Sequence, residues 1–268
     1  MSENMKPASI LRFPGGSCKK LGFAALIFGA QLSSASADTI FGLYAGANLW
    51  QPDFSGTVGQ ETNNFDFSSE FSQNDTDSTS VYVAVEHFVP LIPNVMVRTT
   101  PVNWAGNSDS ASGTLGGTVT LNGNVDALID IDMTDFTLYY EILDNWVSLD
   151  IGLTARKLDG AVSARETSTN LSDSVDLDTT IPMLYGHARF DLPFTGLALG
   201  VRGNAIAYEE SDLLDLEAYL HFEIDLLPAV DFGIQGGVRR LSLDIDDLEN
   251  WSSDARFDGA YVGLTLHF

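Results

Sequence analysis

The sequence predicts an all-β fold: a transmembrane, antiparallel, up-and-down β-barrel of about ten strands. Three observations predict it. Apolar and polar residues alternate with period two from Thr39 to the end of the chain. Short turns marked by proline or aspartate take turns with long polar connections. The final segment, Gly259–Phe268, is a strand with one wholly apolar face. Lipid offers a sheet no hydrogen bonds, so a sheet with an apolar exterior has to close on itself. A soluble sandwich would also alternate, but its apolar faces would meet in a core, and its turns need not fall into a short set and a long one.

The barrel is expected to span residues 38–268, after a signal peptide over 1–37. Arg12, Lys19 and Lys20 form a basic start, and the apolar run Leu21–Leu32 is too short to cross a bilayer as a helix. Ala35-Ser36-Ala37 supplies the small-residue cleavage pattern. Cys18 lies before the apolar run, away from that cleavage site, and the segment after it has no cysteine, which excludes thiol catalysis and disulfides. Four basic residues and one acidic residue leave with the leader, so the remainder is near −27 against −24 for the whole chain. That charge excludes nucleic acid as a partner.

Ten strands follow in order. Phe41, Leu43, Ala45, Ala47 and Leu49 share the outer face of the first, and Val81, Val83, Val85 and Val89 that of the second. The prolines of Pro90-Leu91-Ile92-Pro93 cannot donate to a ladder and mark a turn. Val95 and Val97 face out on the third strand, and Phe136, Leu138, Tyr140 and Ile142 on the fourth. After the turn at Asp144-Asn145, the fifth presents Val147, Leu149, Ile151, Leu153 and Ala155. The sixth presents Leu184, Ala188 and Phe190, and the seventh Leu197, Leu199 and Val201. Leu214 to Ile224 and Val230 to Val238 make the eighth and ninth, joined at Pro228. The last strand makes ten; Gly113–Asn124 could add a hairpin and make twelve, and eight is the count if two strands lie outside the membrane.

The four long connections, 51–78, 106–134, 159–178 and 244–255, are expected to be polar loops on one side, with short turns and both termini on the periplasmic side. Tyr44, Trp50, Trp104, Tyr140, Trp146, Tyr208, Tyr261 and Phe268 fall near strand ends, where aromatic girdles belong. Tyr261, Leu264, Leu266 and Phe268 resemble the insertion signal read by the barrel-assembly machinery of the bacterial outer membrane.

Several segments together resemble a family of small, mostly uncharacterised proteobacterial outer-membrane barrels found in genomes with rhombosortase-type (GlyGly-CTERM) sorting systems. They are Phe41–Gly56, Glu86–Arg98, Leu138–Gly160, Ile181–Gly200 and the closing strand. The resemblance implies a barrel of ten or so strands and supplies no catalytic residues.

Inward parity collects the acids Glu86, Glu141, Asp150, Asp215, Glu217, Glu223 and Asp231 with Arg98, Arg156, Arg189, Arg202 and Arg239. Buried charges must be paired, so these residues are expected to form a salt-bridged lumen, plugged or passing only small solutes. His187, His221 and His267 share that parity, and His221 lies between Glu217 and Glu223, a spacing that also suits acid–base or metal chemistry. The loop acids Asp130, Asp132, Asp173, Asp176, Asp178, Asp244, Asp246 and Asp247 suit divalent cations that bridge lipopolysaccharide, or plain solvation. The function expected is non-enzymatic, structural or a narrow channel, with no cofactor and with outer-membrane lipid and lipopolysaccharide as partners. The alternatives are an outer-membrane enzyme acting on lipid or peptide, and a surface-interaction protein working through its acidic loops.

Overall fold

The computed structural model describes residues 41–268 apart from 61–62, 74–75, 117–118, 209–210, 228–229 and 249–250. The expected signal peptide (1–37), the turn at Pro228 and the side chains of Tyr208, Asp246 and Asp247 lie outside the described residues.

The strands are β1 (Phe41–Gln60), β2 (Asn63–Asp66), β3 (Ser72–Gln73), β4 (Ser78–His87), β5 (Asn94–Thr114), β6 (Thr120–Asp144), β7 (Val147–Glu166), β8 (Ser172–Leu192), β9 (Leu197–Tyr208), β10 (Ser211–Leu227), β11 (Val230–Leu248) and β12 (Trp251–His267). Ten of them, all but β2 and β3, form an antiparallel ring in chain order, and β12 pairs back onto β1. That seam runs in register from Tyr44↔His267 to Gln60↔Trp251. Phe268 continues it through two backbone hydrogen bonds with Leu43, at 3.0 and 3.2 Å. A closed ladder leaves no edge of unpaired amides.

The long polar connections expected from the sequence are not loops. Residues 94–114 and 120–144 continue one ladder from Asn94↔Tyr139 to Thr114↔Thr120, so Gly113–Asn124 is the tip of that hairpin and the ring has ten strands. β7 and β8 likewise stay paired to Arg165↔Ser172. β5 to β8 each hold 20 to 25 residues, roughly twice what a tilted membrane strand needs. Alternation survives in these extensions, but its polarity inverts. On β6, the outward residues Phe136, Leu138, Tyr140 and Ile142 give way to Asp126, Asp130 and Asp132, while the inward residues become Val125, Ala127, Ile129 and Met133. The barrel is apolar outside in its proximal half, the half with Phe41 and Phe268, and apolar inside in its distal half.

The distal interior is therefore a protein core. Trp50, Phe54, Val58, Phe65, Val102, Trp104, Leu121, Ile129, Met183 and Phe257 pack there, each under a tenth exposed. β4 is shorter than its neighbours, and the chain just before it closes the gap: β2 pairs with β1 and β3 with β5. This excursion carries Phe65, Phe67 and Phe71 into the core, where Phe67 stacks on Phe71 (4.8 Å) and meets Phe54 (5.1 Å) and Trp104 (5.2 Å). Trp50, Trp104 and Tyr261 are buried inside the barrel, and Tyr44 points inward too, so they are not girdle residues. Their nearness to an expected strand end misled, because β1 and β5 run on past them. Tyr140, Trp146 and Phe268 are exposed on the outside.

Candidate functional site

Inward side chains below the aromatic core fall into two layers. The deeper one is a belt of four arginines and three carboxylates. Arg156 on β7 donates to both oxygens of Asp135 on β6, from Nε and Nη2, each at 2.7 Å, and Nη2 also reaches Asp215 on β10 at 2.6 Å. Arg239 on β11 grips the same Asp215 with Nε (2.8 Å) and Nη2 (2.7 Å). Glu217 on β10 accepts from Arg202 on β9 at 2.6 Å and pairs with Arg98, which projects from β5. Arg98 Nε donates to Ser80 Oγ at 2.9 Å. β5 and β10 stand five places apart in the ring of ten, so the Arg98–Glu217 pair spans the diameter.

All seven belt residues are buried, Arg156 completely. Charges so far from water persist only when bidentate pairing offsets their lost hydration. Aromatic faces help: the Arg239 guanidinium lies 4.6 Å from the Trp50 ring centre, and that of Arg202 lies 5.4 Å from Tyr82 and 5.9 Å from Tyr219.

The second layer is a vestibule of about 430 Å³ below the belt, on the side of the short turns and of Phe268. Its wall holds Glu86, Glu141, Asp150, Arg189, His221, Glu223 and Asp231. The thirteen inward side chains singled out in the sequence thus divide in two. Arg98, Arg156, Arg202, Arg239, Asp215 and Glu217 meet in the belt, and the other seven line the vestibule. Glu217 and His221 share a face of β10 but do not act together: Glu217 is held by arginines, whereas His221 Nε2 sits 2.9 Å from Thr265 Oγ1. His187 instead bridges two strands, with Nδ1 2.8 Å from Asp150 and Nε2 2.7 Å from the Tyr219 hydroxyl.

Asp135 is absent from the sequence-derived set. It sits one residue before the apolar run that begins at Phe136, at the edge of what hydropathy marks as a strand. Its signal was parity, since it alternates with Thr137 and Tyr139. Also missed was a pairing rule on the inner wall. Tyr82 stands opposite Gly46, Tyr139 opposite Gly152 and Tyr219 opposite Gly200, and the Tyr82 and Tyr219 rings lie over residues with no side chain. A Cβ at Gly200 would come within 2.2 Å of the Tyr219 ring. Gly200→Val should destabilise the barrel by about 1–3 kcal/mol through that overlap, read as a lower urea midpoint. The same change at Gly186, where an added Cβ meets nothing within 4 Å, should leave the midpoint nearly unmoved.

The distal acids separate as well. Asp173 faces inward and is buried; its Oδ2 accepts from the amides of Leu115 (3.1 Å) and Gly116 (2.8 Å), tying two hairpin tips together. Asp66 accepts from the Ser69 hydroxyl at 2.7 Å and from two backbone amides, which hold its carboxyl below the usual range. Asp132, Asp159 and Asp178 stand side by side on the outer face of β6, β7 and β8, with Lys157 bonding Asp178 at 3.1 Å. Among the described residues, no three His, Cys, Asp or Glu side chains converge on a metal-sized site.

Among solved structures, the outer-membrane protease OmpT from Escherichia coli matches over 89% of this chain and 99% of that one, with a TM-score of 0.52 at 9% identity. The fold is that of an outer-membrane β-barrel. The protein's exposed apolar band is the surface that such a fold places in the membrane, and its location is the outer membrane. The translocator domain of the autotransporter NalP from Neisseria meningitidis (14% identity, 84% of this chain and 88% of that one, TM-score 0.35) and OprG from Pseudomonas aeruginosa (12%, 85% and 95%, 0.29) also match. No protein-family model and no curated protein matches the chain. The likeness to OmpT carries the fold and no chemistry.

Proposed function

We propose that this outer-membrane barrel is a plugged, non-enzymatic element of the cell envelope rather than an open channel. One observation carries the reading: the Arg98–Glu217 pair crosses the full diameter of the lumen, inside a belt of seven buried charges. A ten-strand ring is narrow, and the aromatic core closes it a second time above the belt. An ion passing through would have to part charge-assisted pairs and then cross an apolar interior. Lipid against the proximal band, lipopolysaccharide against the acidic distal exterior, and the assembly machinery that reads Tyr261, Leu264, Leu266 and Phe268 are the partners this reading implies. Of these four residues, Leu264 and Phe268 are exposed, Leu266 is half-buried and Tyr261 lies inside the barrel.

Planar-bilayer recording tests the proposal. Refolded protein should insert without stable unitary currents. Steady single-channel conductance from the unmodified protein would overturn it and restore the small-solute channel.

A further inference from the structure

We propose that the short turns of the proximal rim between β4 and β9 are immersed in phospholipid, which reaches past the ends of these strands and holds the turns as an anchor. The inference goes beyond the plugged-barrel reading and does not depend on it. Among the described residues, three other than glycine adopt a left-handed backbone: Leu91 (φ 71°), Asn170 (φ 62°) and Phe194 (φ 67°). Asparagine tolerates that conformation, because its short polar side chain bonds locally. Asn170 does so in the distal turn between β7 and β8, where it accepts from Arg165. Leu91, between β4 and β5, and Phe194, between β8 and β9, have no such excuse: a bulky residue is strained there. Neither gains packing from the protein, since Leu91 is 91% exposed and Phe194 completely so. Strain with no internal compensation points to a partner outside the barrel.

That partner is the one the apolar band already has. Tyr140, exposed on the outer face of β6, donates from its hydroxyl to the Leu91 carbonyl at 3.0 Å, which draws the β4–β5 turn over the barrel's exterior. Trp146, in the β6–β7 turn, meets the outward ring of Phe190 on β8 edge-on at 5.5 Å. Phe88 and Ile92, on the first of these turns, are exposed as well. The apolar surface thus continues from the band onto the turns, with a tryptophan where a membrane interface favours one. Lipid supplies no partner to a polar backbone group, and much of the turn backbone is already closed. Pro90, Pro93 and Pro193 have no N–H to satisfy. The Leu192 carbonyl accepts from the Thr195 hydroxyl at 2.8 Å, the Gly196 carbonyl from the Glu223 amide at 2.9 Å, and the Trp146 carbonyl from the Asp191 amide at 3.0 Å. The acids flanking the turns, Asp144 and Asp191, line the vestibule, and Asp191 is paired with Arg189 at 2.8 Å. A docking protein would be met by a polar rim with hydrogen-bonding groups to share; these turns offer hydrocarbon instead.

Fluorescent labelling tests this in the full-length protein, carrying Cys18→Ser and refolded into dioleoylphosphatidylcholine vesicles. A nitrobenzoxadiazole label goes onto Leu91→Cys or Phe194→Cys, with Leu138→Cys as the lipid reference and Asn170→Cys as the aqueous one. Emission from the two turn labels should be blue-shifted to match the Leu138→Cys label, and spin-labelled phosphatidylcholine should quench it. The Asn170→Cys label should stay red-shifted and unquenched. A second measurement reads the sign of a substitution. Phe194→Asn relieves the left-handed strain and removes an exposed ring, so a turn in water would keep or raise its urea midpoint. A turn in lipid receives a polar amide in place of hydrocarbon, so the midpoint in vesicles should fall. Leu171→Asn, at a distal turn, is the control and should leave the midpoint in place. Water-like emission from both turn labels, an unmoved or raised midpoint for Phe194→Asn, or an equal fall for Leu171→Asn would each overturn the proposal. Water-like emission that shifts to the blue only when a periplasmic extract is added would overturn it in favour of a protein partner.

Discussion

Asp215→Ala should cost about 3–5 kcal/mol of barrel stability, the range for breaking a buried ion pair from one side. Asp215 is 3% exposed and accepts from Arg156 and from both Nε and Nη2 of Arg239. Removing it leaves four arginines facing two carboxylates. Arg156 keeps Asp135, but the one carboxylate left to Arg239 among the belt residues is Glu217, at 3.5 Å. The guanidinium does not neutralise itself by losing a proton in a protein, so the stranded charge stays. The cost is a property of the unpaired charge rather than the worth of the pair. Replacing Arg239 with Met in the same molecule should therefore recover much of the loss, since a well-packed apolar substitute for a buried pair is often neutral. Urea unfolding of the barrel in vesicles checks both variants. Glu141→Gln, exposed at the rim, is the control and should stay within about 0.5 kcal/mol of the parent. A parental midpoint for Asp215→Ala would mean that the belt is hydrated and that the lumen is open at this depth.

Parity was legible in the sequence, and depth was not. Period-two alternation assigns inside and outside for Arg98, Arg156, Arg202, Glu217 and Arg239 without any knowledge of register. It says nothing about which of them share a level, because strand tilt and stagger set that. Hence Glu217 and Glu223, six residues apart on β10, looked equivalent, although one is locked among arginines and the other lines the vestibule. Strand length was hidden for a different reason. Past Leu49 on β1 and before Phe136 on β6 the outward residues turn mostly polar, Leu128 excepted, which hydropathy reads as loop. The ladder continues there because the inward residues Phe54 and Ile129 have taken over the apolar role. The Tyr–Gly pairs were unreadable for want of register: Gly46 and Tyr82 are 36 positions apart in the chain and opposite one another in the wall.

Arginine placed along the outward face of β6 should map the polarity inversion directly. Leu138 is 50% exposed in the membrane band. Leu138→Arg puts a charge into hydrocarbon and should cost about 2–4 kcal/mol near the midplane, less toward either interface. Asp130 lies on the same face, eight residues away and beyond the band, beside other acids in an aqueous setting. Asp130→Arg should change stability by no more than about 0.5 kcal/mol. The inner face should show the opposite order of tolerance. Ile129→Arg buries an unpaired charge in the aromatic core, where Ile129 is 3% exposed, and should abolish the heat-modifiable form. Glu141→Arg at the exposed rim should be accepted. A barrel that simply ended in flexible polar loops would tolerate Arg at position 129 as readily as at 130. The alternation of outcomes between those two neighbours is what a ladder continuing beyond the membrane requires.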